Sequence, residues 1–217
     1  MHVYGSYAAP SEAAKVDLVR RFPFAVVAAS PPEGPPVAAH LPLILPQDAP
    51  PPERLEGAVL LGHMARRNPQ WRMFAGGPRI LAVFSSPHGY VSPSLYPPGP
   101  AAPTLDYAAV HVTGRVELTD TPEDSLHVVE ETVRALESRR APQWDMAGSR
   151  GFFASIVRHV VSFRVHVEEA PAMFKLSQDM PADVRDRVAR DLSATVGPEL
   201  SALVAEAGPG REPGAGV

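Results

Sequence analysis

Apolar residues along this chain come mostly in short runs broken by proline and glycine, with a few stretches of helical spacing between them. Near the amino end, residues 11–22 set Ala14, Val16, Leu18 and Val19 behind a serine suited to an N-cap, which predicts a short helix. Residues 24–29 and 37–45 flank a Pro-Pro-Glu-Gly-Pro-Pro turn, the pattern of a hairpin. After a polar, proline-rich loop, residues 57–62 predict a buried strand. Asn68-Pro69 then opens a helical turn through Ala75, because asparagine caps well and proline suits the first helical position. Residues 79–84 and Tyr90-Val91 are two further strands.

Beyond a loop of proline, glycine and alanine, residues 110–118 alternate. Val110, Val112, Gly114, Val116 and Leu118 share one face, and His111, Thr113, Arg115 and Glu117 share the other. Thr121-Pro122 starts the longest helix, in which Leu126, Val129, Val133 and Leu136 recur at helical spacing and predict the side turned to the core. Val161, Phe163, Val165 and Val167 mark a last alternating strand. Helical pieces from Pro181 and Pro198 follow, and residues 208–217 read as a disordered tail. Gly62 and Gly114, each inside a strand pattern, mark either a bulge or a close backbone approach. The expected fold is mainly β with α decoration: a small antiparallel barrel with peripheral helices. Residues 1–179 form the barrel domain, and 180–217 a C-terminal helical extension.

Composition narrows the function classes. The 217 residues carry a formal charge of −4, the wrong sign for a bulk nucleic-acid coat. There is no cysteine, which excludes disulfide staples, thiolate zinc sites and cysteine nucleophiles. The apolar runs are too short to span a bilayer, and the first residues lack the basic and apolar blocks of a signal peptide, so a cytoplasmic protein is expected. All but two of the 20 basic residues are arginine, which sets Lys15 and Lys175 apart.

The densest polar cluster, Gly62-His63-Met64-Ala65-Arg66-Arg67-Asn68-Pro69-Gln70-Trp71, runs off a strand into a helix start. Backbone amides there, with two arginines before them, suit an anion, and phosphate above carboxylate. A plain cap with solvated arginines is the alternative. The histidines lie on separate elements without metal-ligand spacing, so no metal site is expected. His111, on the polar face of its strand, is either a half-buried hydrogen-bonding residue or one facing a ligand. No nucleophile elbow, Walker loop or dinucleotide fingerprint occurs. Phe174-Lys175-Leu176-Ser177-Gln178 is either a surface turn or an arm reaching an anionic ligand.

Three blocks together resemble the PaiB-type family of FMN-binding negative transcriptional regulators. They are the residue 62–71 cluster, Ser86-Pro87-His88-Gly89-Tyr90-Val91-Ser92-Pro93-Ser94, and Lys175-Leu176-Ser177-Gln178. His40-Leu41-Pro42 and Ala109-Val110-His111 resemble it in order and spacing. Leu95 and Leu105 stand where the family commonly has tryptophan. The resemblance implies a split β-barrel of the FMN-binding type, normally a homodimer with FMN at the subunit interface. Carried over, the flavin phosphate falls to His40, Leu41 and Pro42 and to His63, Arg66, Asn68 and Gln70, with Met64 beside the ring. His111 joins the cofactor-binding set, and Lys175, Ser177 and Gln178 form a second polar wall. DNA contact is implied by the family and unsupported by the charge. An FMN-dependent oxidoreductase or flavin reductase acting on a small molecule is the competing reading.

Overall fold

The computed structural model describes residues 1–119 and 121–208. Helix α1 (Glu12–Arg21) begins as expected, with the Ser11 side chain accepting a hydrogen bond from the Ala14 amide, and buries Val16, Leu18 and Val19. Six strands then close an antiparallel barrel: β1 (Phe24–Ala29), β2 (Val37–Ile44), β3 (Val59–Ala65), β4 (Arg79–Ser85), β6 (Thr104–Leu118) and β7 (Val160–Glu169). The ring runs β1–β2–β3–β7–β6–β4 and back to β1. Short β5 (Gly89–Val91) and β8 (Ala172–Lys175) extend the sheet on either side of the first half of β6.

The β1–β2 hairpin is as expected. β6 starts earlier than the alternation at Val110 suggested, because Asp106 points inward and interrupts the apolar pattern while fully buried. The two strand glycines are close approaches. A Cβ at Gly62 would lie 2.5 Å from the Phe163 ring, and one at Gly114 would lie 2.2 Å from the His166 carbonyl oxygen. Gly114 also adjoins the irregularity where β6 shifts register against β7.

Helix α2 (Pro122–Glu137) is capped by Thr121, but its inner face is not the expected one. Ser125, Val128, Glu131 and Thr132 are buried, whereas Leu126, Val129 and Val133 are half-exposed and Leu136 is exposed. Hydrogen bonds turn the helix this way. Ser125 Oγ meets Ser162 Oγ at 3.0 Å, and Glu131 accepts from the Gln47 amide at 2.5 Å and pairs with Arg134. Val128 packs outside the barrel on Ile44 and Leu61. Short α3 (Arg150–Ile156) follows. Helices α4 (Ala182–Thr195) and α5 (Pro198–Glu206) enter the same core as the barrel through Val184, Val188, Leu192, Leu200 and Val204. The expected tail lies, from residue 209, outside the described residues.

Candidate functional site

α2 covers the outside of the ring only over β3, β7 and the end of β2. On β1, β4 and the start of β2 the outward side chains stay half-exposed or exposed, and the same face continues onto β6. Outward residues align across it in register. His40 lies beside Val26, Val26 beside Val83, and Val83 beside His111, so two histidines 71 positions apart end one continuous row. The next row is Ala38, Ala28, Leu81 and Thr113. Phe24, 64 % exposed, stands at the edge with its ring 5.8 Å from that of His40. A half-exposed surface of small apolar residues bordered by imidazoles suits a flat ring. Burial holds His111 below the usual imidazole range, and the positive amino terminus adds to the effect.

β2 and β3 pair only at Leu43–Gly62 and Ile44–Leu61 and then diverge, so the barrel is split there. The turn after β3 fills the gap, which brings His40–Pro42 and the 63–70 block together. Within that block the side chains divide. Asn68 Oδ1 accepts from the Gln70 amide at 3.0 Å and caps the 3₁₀ turn Pro69–Phe74. Gln70 points inward, 2 % exposed, and its Nε2 donates to the Val27 carbonyl at 2.9 Å, while its Oε1 is buried without a partner. Met64 is in the core and Leu41 is buried. His63 faces α2, 3.4 Å from Thr132 Oγ1, and burial lowers its pKa. Arg66 donates to the carbonyls of Arg158 and Val160, at 3.0 and 2.9 Å. Its guanidinium therefore pins the start of β7, and Arg67 is the exposed arginine of the pair. Trp71 packs between Arg66 and Arg72.

Lys175, Ser177 and Gln178 form a separate group. Lys175 ends β8, with Nζ on Thr104 Oγ1 and, at 3.1 Å, on the Leu105 carbonyl. Ser177 does not share its face as an extended segment would require. At φ +55° it turns inward, and its Oγ donates to Asp106 Oδ2 at 2.6 Å. Gln178 is buried, with Nε2 on the Phe174 and Ser6 carbonyls and Oε1 accepting from the Leu176 amide. Lys175 pairs in register with Tyr107, whereas the split adjoins the far end of β6 near Leu118.

Sequence reasoning missed Asp106. Burial pushes its carboxyl up to about 6, against the Ser177 hydroxyl and the Lys175 charge, with Asp179 adding to the rise. Its Oδ1 and the Tyr96 hydroxyl are both buried without partners. Tyr7 donates to Asp179 at 2.9 Å, and burial above all raises it to about 12. The only sequence signal was an aspartate on the face that Ala108, Val110, Val112 and Val116 otherwise make apolar.

The closed ring, its split and its half-exposed outer face define a class, the antiparallel split barrel with peripheral helices, and solved structures share that fold. A conserved hypothetical protein of Mycobacterium tuberculosis superposes with a TM-score of 0.59 at 13% identity, covering 83% of this chain and 94% of its own. The FAD and heme binding protein of Mycobacterium smegmatis superposes with a TM-score of 0.54 at 15% identity, covering 85% and 80%. Residues 1–169 match the family described as "Putative FMN-binding domain", and the chain belongs to that family, with FMN as its cofactor. It is 32% identical over 152 residues to the protease synthase and sporulation protein PAI 2 of Bacillus subtilis, across 68% of each chain. An uncharacterized protein of Emericella nidulans is 23% identical over 207 residues, 79% of this chain and 82% of its own. The expected resemblance and barrel are thus found. No helix among the described residues is long and apolar enough to cross a membrane.

Proposed function

We propose that this protein works in the cytoplasm as a homodimer that holds FMN between two copies of the half-exposed β1–β2–β4–β6 face. The observation that carries this reading is the row from His40 to His111, apolar in the middle and at least half-exposed along its length. A second copy would bury Phe24 and Val26. It would also bring the Lys175 end of one chain toward the split of the other.

The residues present fit the cofactor. A flat ring would lie on Val26, Ala28 and Val83 between the histidines. The anionic tail would reach the split, where Arg67 is exposed and Arg66 and Asn68 hold the turn in shape. Bound FMN supplies one- and two-electron redox chemistry; the protein excludes water, places the ring and sets its electrostatics. As in the family it resembles, the output is regulatory and follows FMN occupancy or redox state. The net charge of −4 does not favour direct groove contact with DNA.

Phe24→Glu tests the reading, since a carboxylate at that edge faces its own symmetry mate. The expected result is a monomer by sedimentation together with at least a tenfold loss of FMN affinity by fluorescence quenching. A monomeric parent at micromolar concentration, or a monomeric variant that binds FMN as tightly as the parent, overturns the interfacial site. Turnover of a reduced nicotinamide by the parent would favour the oxidoreductase reading instead.

A further inference from the structure

A second cavity lies away from that face, between α1, α5, β8 and the amino-terminal segment. It encloses about 420 Å³, within the usual range for small-molecule pockets. Its lining is mixed: Leu18, Phe174, Leu176 and Leu203 form an apolar part, and Ser6 and Gln178 add polar surface. The buried Gln178 amide at its floor already has both its oxygen and its nitrogen bonded within the chain. The apolar side of the cavity therefore suits a hydrocarbon body.

Among the described residues the lining carries charge only in two carboxylates, Asp17 and Glu206. One guanidinium serves both, with Arg21 Nη1 3.4 Å from Asp17 and 3.0 Å from Glu206. These three groups leave one negative charge in excess. The local backbone field has the same sign. Glu206 is the last residue of α5, whose final turn contains no basic residue, so a carboxylate sits at the negative end of a helix dipole. Both observations favour a cation at this spot.

We propose that this cavity is a binding site for an amphiphilic amine, with an aliphatic body inside and an ammonium group at Asp17 and Glu206. The assignment is independent of the flavin site. Titration of the full-length protein with hexylammonium, hexanol and hexanoate, followed by calorimetry, tests it. Hexylammonium is expected to bind saturably and at least tenfold more tightly than hexanoate. Each methylene between butyl- and octylammonium should tighten binding up to about fourfold until the cavity is full.

In the Asp17→Asn, Glu206→Gln double variant, the ammonium should lose about tenfold in affinity while hexanol binding is unchanged. FMN affinity within twofold of the parent then reports an intact fold. Equal binding of hexanoate and hexylammonium, unsaturable binding, or ammonium binding that ignores the double substitution each overturns the proposal. If the variant does not fold, the three-ligand comparison on the parent still decides.

Discussion

Asp106→Asn isolates the cost of a fully buried carboxyl. In the folded protein Asp106 titrates at about 6 instead of 3.8, chiefly because burial disfavours its charged form. The folded state therefore holds this proton more tightly than the unfolded chain does. The sign follows from linkage: the contribution is fully present below pH 3.8 and is lost as the pH rises toward 6. At about 1.4 kcal/mol per pH unit, the whole loss is about 3 kcal/mol. Asparagine keeps an acceptor for Ser177 Oγ, removes the charge, and presents an amide donor near the unpartnered Tyr96 hydroxyl. The variant should match the parent at pH 4 and exceed it above pH 6.5 by up to about 3 kcal/mol. For a chain of this size that is about 6–12 °C in Tm. Thermal unfolding from pH 4 to 8, compared as the difference between the two proteins, removes groups common to both. A difference that stays flat with pH, or grows toward acid, refutes the reasoning.

Gly114→Ala should destabilise the barrel by more than about 3 kcal/mol, since the new methyl meets backbone at the β6–β7 irregularity rather than a side chain that can yield; urea unfolding measures it, and a loss below about 1 kcal/mol would show that the strand shifts freely. Lys175→Met should lower the reduction potential of bound FMN if this ammonium faces the ring across the interface. Spectroelectrochemistry reads it, and an unchanged potential in a variant that still binds FMN removes Lys175 from the site.

Most of the ring was legible because local chemistry and global fold agree there. Ser11 and Thr121 cap the helices they precede, and the 110–118 alternation is a strand wall. Both glycines sit where neighbours crowd them. The outward face of α2 was not legible. Its four evenly spaced apolar residues outweigh Ser125 and Thr132 in any periodicity, yet hydrogen bonds to β7 and to its own turns set the rotation. The candidate site was half legible. His40 and His111 were singled out separately, and only strand register places them in one row. Arg66, Gln70 and Ser177 were identified by type, but each spends its hydrogen bonds inside the fold, which spacing alone does not reveal.

The order in which the ring is delivered has a consequence for the nascent chain. β7 is the strand that joins β3 to the last stretch of β6, and it arrives about a hundred residues after β3. Until residue 169 has emerged, β3 offers an unpaired edge from Val59 to Ala65, including the apolar Leu60 and Leu61, and β6 offers another from Thr113 to Leu118. Such edges are templates for pairing with other chains, and contacts this distant in sequence form late. A fragment ending before Val160 should accumulate as aggregate, not as a smaller barrel. Synthesis of this protein therefore passes through a long interval in which chaperone protection of open strand edges, more than final stability, sets its yield.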